Sequence, residues 1–494
     1  MSAPRSNIIN LASALQGIAS CAPLSVTHLR LDSRSVEPGD AFVAVAGRSS
    51  HGLRHVSSAL ARGAVAILHD PSEGPIENMG EHACAVPVAA LAARLGEIAD
   101  RAYGSPSKQL EVVGITGTNG KTTCAWLYAL CRDPNAAYLG TLGAGRPPHV
   151  DATTHTTADV FSVHRYLAGF VAAGARHVGM EVSSHALDQD RIAGVTIAAA
   201  AFTNLTRDHL DYHGTMEAYG EAKERLFIGR ELRHAIINVD DGFGARLASR
   251  LSDTVQVWAV SAEGKKPTQG NYVSATRIET TPNGLRIDGE SHLGPFELST
   301  RLVGRFNAEN ALIVLALLLA SGVSLSDATT RLGAVAAPPG RMETFSVPNG
   351  PLVVVDYAHT PDALEKALSA LRAHVRGELY CVFGCGGDRD GGKRPLMGQI
   401  AGAHADHIVV TDDNPRTEDP DQIVAMILAG ISKSLPVLVE RDRAVAIRST
   451  VARAKAGDVV LVAGKGHEDY QIYGSASNYF SDRAIASELT GVAA

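Results

Sequence analysis

The chain has 494 residues, of which 45% are hydrophobic and 20% are charged, and its formal net charge is −7. This balance is typical of a soluble globular protein and excludes long disordered segments. A nucleic-acid partner would need a broad basic face, which an acidic chain without runs of Lys or Arg does not offer. The charge therefore favours small-molecule partners. At roughly 150 residues per domain, the length predicts about three domains.

The first 15 residues lack the basic start and apolar run of a secretion signal. Residues 311–320 form the longest apolar run, which is about half the length that spans a bilayer, so we predict a buried helix there. The six cysteines include no C-x-x-C pair, which argues against a disulfide framework or a structural zinc site. We therefore expect a cytoplasmic protein without a membrane partner.

The N-terminal part has the sequence pattern of a small α/β unit. Between residues 25 and 90, the apolar runs 41–45 and 64–68 alternate with polar turns and with a helical stretch at 55–62. A cluster of turn residues at 103–107 then predicts a linker.

A second α/β region begins with a predicted strand at 111–116, which leads into a glycine-rich loop and a helix at 122–130. Alternation of strands and helices predicts a doubly wound, mainly parallel sheet with helices on both faces. Residues 255–300 alternate in polarity and are rich in turns, which predicts an antiparallel flank. Further strands of the parallel sheet are expected at 177–182, 198–203 and 235–239.

A second break at 336–340 precedes a C-terminal α/β region that we predict to be Rossmann-like. Its strands are expected at 352–356, 379–383, 407–411 and 458–463, and each leads into a polar or glycine-containing cluster. Such clusters are candidate ligand sites, because ligands of open α/β sheets bind beyond the carboxyl ends of the strands. The predicted domains are 1–107, 108–337 and 338–494.

The glycine-rich loop reads Gly114-Ile-Thr-Gly-Thr-Asn-Gly-Lys-Thr-Thr123. A loop of this kind can point backbone N–H groups and a helix N-terminus at phosphate oxygens, with Lys121 reaching the β/γ-phosphates and Thr122 a magnesium ion. It is a variant P-loop, because Ile115 stands where the strict pattern has its first glycine. P-loops serve kinases, switches and ligases alike, so the loop predicts ATP binding and leaves the reaction open.

Several passages in chain order resemble those of the Mur ligase and folylpolyglutamate synthase superfamily. They are Gly117-Thr-Asn-Gly-Lys-Thr-Thr123, Met180-Glu-Val-Ser-Ser-His185, Thr203-Asn-Leu-Thr-Arg-Asp-His-Leu-Asp-Tyr-His213, Gly304-Arg-Phe-Asn-Ala-Glu-Asn310, Pro339-Gly-Arg-Met-Glu343 and Asp356-Tyr-Ala-His359. Within the family, the chain resembles the members that attach the third peptide residue to UDP-N-acetylmuramoyl-L-alanyl-D-glutamate in peptidoglycan synthesis.

The resemblance implies an N-terminal domain for the UDP-sugar, a central ATPase domain and a C-terminal domain for the incoming amino acid. It implies ATP and Mg²⁺ as cofactors and an acyl-phosphate intermediate on the D-glutamyl carboxylate. We expect a monomer whose partners are the UDP-muramyl dipeptide and meso-2,6-diaminopimelate.

The third residue is suggested by Asp413-Asn-Pro-Arg416, which resembles the signature of members that add meso-2,6-diaminopimelate rather than L-lysine. Diaminopimelate has an extra carboxylate at its far end, and a guanidinium such as that of Arg416 can hold it by two charge-assisted bonds. The matching amino-acid positions are Arg389, Asp413, Asn414, Pro415, Arg416, Gly464 and Glu468.

The resemblance also assigns the catalytic centre and the other binding positions. Lys121, Glu181, His209 and Lys223 are the implied catalytic residues, and Thr122, Glu181, His209 and Lys223 the implied metal ligands. The nucleotide positions are Gly117, Thr118, Asn119, Gly120, Lys121, Thr122, Thr123, Asn307, Asn310, Arg341, Asp356 and His359. The muramyl-substrate positions are Leu31, Ser33, Arg48, Ser49, Ser50, Thr156, Thr157, Ser183, Gln189 and Arg191.

Lys223 receives two different predictions. The residue pattern of 217–227 alone predicts a surface lysine on an amphipathic helix. The resemblance implies instead a lysine carbamoylated by CO₂, whose carboxylate-like end supports magnesium.

Three alternatives stay open. One is a Mur ligase that adds L-lysine or D-alanyl-D-alanine, and another is a folate polyglutamate ligase. The third is a P-loop NTPase switch, which would hydrolyse ATP without either co-substrate.

Overall fold

The computed structural model describes residues 8–47, 50–76, 79, 83–228, 232–251, 253–281 and 284–490. The chain divides into two compact units. The first consists of Met1–Ala125, Arg132–Ile237 and Phe243–Val257, and the second of Trp126–Cys131, Asn238–Gly242 and Trp258–Ala494. In the described ranges, no helix is both long enough and apolar enough to cross a bilayer.

The first unit begins with a small α/β region, as expected. Its elements are β1 (Ile9–Asn10), α1 (Leu11–Ala14), β2 (Ser25–Val26), β3 (Leu29–Arg30), β4 (Ala41–Ala44), α2 (Val56–Ala61), β5 (Ala66–His69), β6 (Cys84–Pro87) and α3 (Leu91–Ala102). Short 3₁₀ segments lie at Ser33–Ser35, Gly52–His55, Pro71–Glu73 and Pro106–Gln109. The strands β3, β4, β5 and β6 form a parallel sheet in chain order. The apolar run at 64–68 enters β5 only from Ala66, because the N–H of Ala64 donates to the carbonyl of Ala59 at the end of α2.

The rest of the first unit is the predicted parallel sheet with its helices. Its elements are β7 (Glu111–Thr116), α4 (Lys121–Arg132), β8 (Ala137–Gly140), β9 (Gly143–Arg146), β10 (His149–Asp151), α5 (Val160–Ala172), β11 (His177–Glu181), α6 (Ser184–Asp188), β12 (Ala199–Phe202), α7 (Leu210–His213), α8 (Met216–Glu224), β13 (His234–Asn238) and α9 (Gly242–Arg250). The strand order is β10-β9-β8-β11-β7-β12-β13, in which β8, β11, β7, β12 and β13 are parallel and β9 and β10 antiparallel. Because parallel strands end at the same edge, the loops after β7, β11 and β12 come together there.

The second unit opens with β14 (Gln256–Ser261), β15 (Asn271–Thr281), β16 (Gly284–Ser291), β17 (Gly294–Thr300), α10 (Phe306–Ala320) and α11 (Leu325–Ala334). The antiparallel flank is confirmed for β15, β16 and β17, whereas β14 pairs with β15 in parallel. The apolar run at 311–320 lies in α10, which is buried along nearly its whole length. The buried helix is thus confirmed, and it begins five residues earlier than the run.

The second unit ends with an α/β region consisting of β18 (Glu343–Ser346), β19 (Leu352–Asp356), α12 (Pro361–Arg372), β20 (Leu379–Phe383), α13 (Lys393–His404), β21 (His407–Val410), α14 (Pro420–Leu428), β22 (Val437–Val439), α15 (Arg443–Arg453), β23 (Val459–Ala463), β24 (Tyr470–Tyr473), β25 (Ala476–Tyr479) and α16 (Asp482–Thr490). Its sheet has the order β18-β19-β23-β20-β21-β22, parallel except for β18. One apolar core packs α12, α13 and α14 on one face of this sheet, and a second packs α15 and α16 on the other. The predicted Rossmann-like region is confirmed.

Candidate active site

The phosphate loop joins β7 to α4 and depends on two glycines with positive φ. Gly117 has φ 149° and Gly120, which precedes the first residue of α4, has φ 86°. A Cβ on Gly117 would lie 1.9 Å from Thr203 Oγ1, so no side chain fits there. The N-terminal end of α4, which begins at Lys121, faces this loop, and the N-terminal end of a helix attracts anions.

The loop after β12 holds the phosphate loop in shape. The N–H of Thr118 donates to the carbonyl of Asn204 at 2.8 Å, and the N–H of Asn119 donates to Asn204 Oδ1 at 3.0 Å. The N–H of Thr206 donates to Thr118 Oγ1 at 3.0 Å. We did not assign a role to Asn204 or Thr206 from the sequence, although both lie in the passage 203–213 that carries the resemblance.

Lys121 folds back over this loop. Its Nζ donates to the carbonyl oxygens of Gly117 and Thr118, each at 2.8 Å. Both acceptors are neutral carbonyl oxygens of the loop where phosphates are predicted to bind.

Thr122 and Glu181, both predicted metal ligands, are brought together by the structure. Thr122 Oγ1 donates to Glu181 Oε2 at 3.0 Å, and the two residues are 8% and 1% exposed. Glu181 ends β11 beside the phosphate loop, since β11 and β7 are neighbours in the sheet.

A hydroxyl and a carboxylate oxygen are the donors that Mg²⁺ accepts in phosphate sites, where substrate oxygens and water complete its octahedron. Among the described residues, no three His, Cys, Asp or Glu side chains form a closed metal cage. The donor set of Thr122 and Glu181 therefore fits a magnesium ion that is shared with bound phosphates.

Lys223 is not the surface lysine that its helical pattern alone predicts. It is 1% exposed, its Nζ donates to the carbonyl of Gly117 at 2.9 Å, and it lies 4.1 Å from the ring centre of Tyr219. The surface prediction is wrong because α8 packs this face against the phosphate loop. Burial, together with the charge of Lys121, holds the pKa of Lys223 well below its usual range.

His209 precedes the short helix α7 in a left-handed backbone conformation, with φ 52°. Its ring centre lies 4.8 Å from that of His185 and 6.0 Å from that of Tyr219, the ring against which Lys223 lies. Burial and the neighbouring histidines lower the pKa of His185 to about 4. His209 and Lys223 thus lie beside the same ring, that of Tyr219.

The predicted muramyl-substrate residues of the first sheet form one network. Thr157 Oγ1 donates to the carbonyl of Glu181 at 2.9 Å and accepts from the N–H of Ser183 at 3.1 Å. Arg191 donates to the carbonyl of Thr157 at 2.9 Å and to Gln189 Oε1 at 2.7 Å. Thr156 Oγ1 belongs to the same region, because it accepts from Thr141 Oγ1 at 3.0 Å. The peptide-binding prediction thus coincides with a polar surface attached to Glu181.

In the N-terminal region, Ser33 is buried at the start of a 3₁₀ segment and Leu31 packs partly against the apolar core. Ser50 Oγ lies 2.7 Å from His55 Nε2. The predicted residues Arg48 and Ser49 lie outside the described residues.

Asn307 and Asn310 are buried in the first turns of α10. Asn307 Nδ2 donates to the carbonyl of Val303 at 2.8 Å, and Asn310 Nδ2 donates to Asn307 Oδ1 at 2.8 Å. These contacts fix both amides in the start of the helix.

Three further nucleotide positions lie around the end of β19. The N–H of Met342 donates to Asp356 Oδ2 at 2.7 Å, and the guanidinium of Arg341 lies 4.7 Å from the ring centre of Tyr357. Burial raises the pKa of Asp356, although Arg341 acts in the opposite direction. His359 Nδ1 lies 2.7 Å from the carbonyl of Tyr357.

Arg416 lies at the carboxyl edge of the C-terminal sheet. It has φ 53°, and its N–H donates to the carbonyl of Ile472 at 3.0 Å, which ties it to the hairpin of β24 and β25. Its Nη1 donates to the carbonyl oxygens of Gly387 at 2.8 Å and Asn414 at 3.5 Å. The guanidinium thus rests on neutral oxygens.

Asn414 connects the other predicted residues of this edge. Its Nδ2 donates to Glu468 Oε2 at 3.2 Å, while its Oδ1 accepts from Lys465 Nζ at 3.1 Å and from the N–H of Ile472 at 3.0 Å. Lys465 is fully buried and lies 3.5 Å from Glu468 Oε2. Lys465 was missed from the sequence, although it lies between the predicted residues Gly464 and Glu468.

The remaining predicted residues lie in the adjoining loops. A Cβ on Gly464 would lie 2.6 Å from Asp413 Oδ2, and a Cβ on Gly387 would lie 1.8 Å from the carbonyl oxygen of Pro415. Arg389 is exposed within the loop between β20 and α13. The loops after β20, β21 and β23 therefore come together as predicted.

Three segments of the chain match family models in order. They are the Mur ligase family, catalytic domain (residues 25–103), the Mur ligase middle domain (115–318) and the Mur ligase, glutamate ligase domain (340–466). A curated relative from Chromobacterium violaceum is 48% identical over 472 residues, which cover 94% of each chain. One from Alkalilimnicola ehrlichii is 48% identical over 477 residues, covering 94% of this chain and 95% of the relative. Both are named UDP-N-acetylmuramoyl-L-alanyl-D-glutamate–2,6-diaminopimelate ligase.

The chain belongs to the Mur ligase family. Mur ligases form amide bonds in an ATP-dependent reaction, so this protein is an ATP-dependent ligase. The predicted three-domain α/β fold is confirmed, whereas the exact boundaries at 107 and 337 stay predictions.

Solved Mur ligases support the fold independently. A ligase with the same name as the curated relatives has a TM-score of 0.69 and 33% identity, with 98% of this chain and 99% of that chain covered. The D-alanyl-D-alanyl ligase from Acinetobacter baumannii has a TM-score of 0.65 and 19% identity, covering 94% of this Mur ligase and 97% of that chain. The second likeness shows the fold alone.

Proposed function

We propose that the protein attaches meso-2,6-diaminopimelate to the free D-glutamyl carboxylate of UDP-N-acetylmuramoyl-L-alanyl-D-glutamate. The observation that carries this proposal is that Asn414 bonds to one positive and one negative side chain. Arg416 donates to the backbone carbonyl oxygen of Asn414, and the side-chain amide of Asn414 donates to Glu468. The distal end of diaminopimelate carries a carboxylate and an ammonium, which match a guanidinium and a carboxylate. L-Lysine has only the ammonium there.

The first unit supplies the ATP site of the proposal. The N-terminal end of α4 and Lys121 would bind the phosphates, and Thr122 and Glu181 would hold Mg²⁺, with His209 near a second ion. When bound, the metal neutralises charge on the transferring phosphoryl group. The contact of 3.0 Å between Thr122 and Glu181 supports this pairing.

The reaction then follows from charge and geometry. A carboxylate oxygen of the substrate attacks the γ-phosphorus, the bond to ADP breaks, and an acyl phosphate forms. The amine of diaminopimelate attacks its carbonyl carbon, inorganic phosphate leaves, and the amine loses a proton. Lys121 would lower the repulsion between the two anions in the first step, and positioning would provide most of the acceleration.

Lys223 has the environment that carbamoylation requires. Carbamate formation joins a neutral amine to CO₂ and releases a proton, and the burial that lowers the pKa of Lys223 favours the neutral amine. The product would be an anion beside the phosphate loop, where an ammonium would repel a metal ion.

The muramyl dipeptide would lie on the network of Thr156, Thr157, Ser183, Gln189 and Arg191, which continues from Glu181. Its UDP-sugar end would reach the N-terminal region, through Leu31, Ser33 and residues 48–50. Hydroxyl and amide groups suit a sugar and a peptide, and Arg191 suits a carboxylate or diphosphate.

The second unit contains the remaining proposed nucleotide positions, which are Arg341, Asp356, His359, Asn307 and Asn310. An acyl phosphate is readily hydrolysed, so the reaction needs a site from which water is excluded. We propose that the protein works as a monomer in the cytoplasm, with small molecules as its partners.

The test offers purified protein ATP, Mg²⁺ and the UDP-muramyl dipeptide, with either meso-diaminopimelate or L-lysine, and measures the tripeptide product and ADP. Product is expected only with diaminopimelate, and ADP release should require both co-substrates. Arg416→Ala should raise KM for diaminopimelate about 100-fold, as expected for loss of a charge-assisted pair, and leave KM for ATP within about twofold.

Arg416→Lys is the matched control, because it keeps the charge and removes the two-pronged geometry. A preference for L-lysine would overturn the substrate assignment. ADP release without either co-substrate would favour a nucleotide switch. Equal losses in the two KM values would overturn the role of Arg416.

A further inference from the structure

Glu181 is held by more than its predicted partner Thr122. Its Oε1 accepts from the hydroxyl of Tyr138 at 2.5 Å and from the N–H of Thr141 at 2.9 Å. Thr141 Oγ1 lies 3.3 Å from the other oxygen, Oε2. Tyr138, Gly140 and Thr141 form a short segment at the end of β8, which we call the carboxylate cradle.

The direction of the Tyr138 hydrogen bond follows from its partners. The phenol oxygen accepts from the N–H of Leu142 at 3.1 Å, so its single hydrogen is available for the carboxylate of Glu181. Tyr138 is fully buried, and a bond of this kind to an ionised group is among the stronger ones in proteins.

Gly140 is required by space rather than by backbone conformation. A Cβ at this position would lie 2.3 Å from Glu181 Oε1 and 2.5 Å from the Tyr138 hydroxyl. The sheet register adds room, because Gly179 on β11 is the residue paired with Tyr138. Residues two apart on a strand share a face, so Glu181 lies on the face of Gly179, within reach of the phenol.

We propose that Tyr138 is a positioning residue that fixes Glu181 for magnesium, with Gly140 providing the space. Two donors occupy Oε1 and set the plane of the carboxylate, which leaves Oε2 as the oxygen that faces Thr122. This inference rests on the proposed function, because it takes Thr122 and Glu181 as the metal-binding pair.

The experiment compares Tyr138→Phe with the unmodified enzyme. Mn²⁺ binding in the presence of ADP is measured by electron paramagnetic resonance, and the Mg²⁺ dependence of kcat is measured in parallel. We expect metal affinity to fall about tenfold, the lower end of what is seen when a partner of a metal ligand is removed. ADP binding in EDTA should stay within about twofold, since the phenol hydroxyl bonds to Glu181 and to the N–H of Leu142, which both lie outside the phosphate loop.

Tyr380→Phe is the matched control, because it removes a phenol hydroxyl from a buried tyrosine of the C-terminal sheet. It should leave Mn²⁺ affinity unchanged. Gly140→Ala is the second variant and should weaken Mn²⁺ by a different route, by pushing on Oε1. Melting temperatures with ADP present show whether each variant is folded.

The outcomes separate the inference from the function on which it rests. If Glu181→Gln abolishes Mn²⁺ binding while Tyr138→Phe and Gly140→Ala leave it unchanged, the cradle has no positioning role and the metal assignment stands. If Glu181→Gln itself binds Mn²⁺ normally, the metal assignment fails and the inference with it. A tenfold loss in Tyr138→Phe, with ADP binding in EDTA preserved, supports the inference.

Discussion

The basic side chains at the loop edges of the two sheets have different partners from the buried arginine at the start of α15. At the phosphate loop, Lys121 and Lys223 donate to backbone carbonyl oxygens, and Arg416 does the same in the C-terminal cluster. Behind that cluster, Arg443 forms a two-pronged pair with Asp482, and both side chains are fully buried. Arg416 donates to neutral oxygens and keeps its charge for an anionic ligand, whereas Arg443 is paired with a buried carboxylate and is part of the folded core. Lys223 differs from both, because burial lowers its pKa and favours the neutral amine.

The largest expected effect on stability comes from breaking the buried pair of Arg443 and Asp482. Arg443→Met should lower the free energy of unfolding by about 3–5 kcal/mol, because it leaves Asp482 as a buried charge without its partner. Urea denaturation measures this change. Arg443→Met combined with Asp482→Leu should recover most of the loss, since two apolar residues replace two charges.

The matched control lies on the same two helices. Arg448 also contacts Glu488 through two bonds, at 2.8 and 2.6 Å, but both side chains are well exposed. Arg448→Met should cost about 0–1 kcal/mol. Equal losses for Arg443→Met and Arg448→Met would contradict the contrast between buried and exposed pairs.

At the phosphate loop, we expect a substitution to lower activity without lowering stability. Lys223→Met should reduce kcat about 10²–10³-fold, the scale for removing one charge-stabilising group from an active site. It should not lower the melting temperature, because a buried amine is replaced by an apolar chain of similar length. The exposed Lys366→Met serves as control for kcat. A drop in melting temperature with kcat preserved would show that Lys223 stabilises the fold and has no catalytic role.

The smallest effect concerns pH. Burial and the charges of Arg341 and Arg483 lower the pKa of His467 from 6.5 to about 4. The unfolded chain therefore takes up a proton at higher pH than the folded protein does. His467 contributes its full stability above about pH 6.5, and loses it as pH falls from there to about 4.

The contribution of His467 should be about 1–2 kcal/mol, since a partly solvated ring retains some hydration when charged. Urea denaturation at pH 7 and pH 4.5 should show a smaller difference for His467→Gln than for the unmodified protein. His149→Gln, on exposed β10, should behave as the unmodified protein does. An unchanged pH dependence in His467→Gln would show that His467 does not contribute to the loss of stability in acid.

Elements whose ends are set by their own residues could be predicted from the sequence. The strand at 111–116 is confirmed residue for residue, because its buried apolar pattern and the following glycines fix both ends. The position of Arg416 was predicted because it follows a strand in a parallel sheet, whose loops meet at one edge.

Other contacts depend on register and packing that no local pattern encodes. Lys223 has the sequence setting of a surface lysine, and only the packing of α8 against the phosphate loop buries it. Tyr138 contacts Glu181 through the pairing of β8 with β11, which are separated by 36 residues in the chain. The role of Lys465 could not be predicted for a similar reason, because its partner Asn414 lies in the loop after a different strand.

Asn414 has a consequence for attempts to change the amino acid that the enzyme accepts. Its amide is used at both ends, by Lys465 and Ile472 on one side and by Glu468 on the other. A single replacement in any of these loops leaves groups elsewhere without partners, so the effects of mutations here are strongly coupled. Attempts to change the selectivity should therefore exchange residues 411–417 and 464–473 together for the matching segments of another ligase.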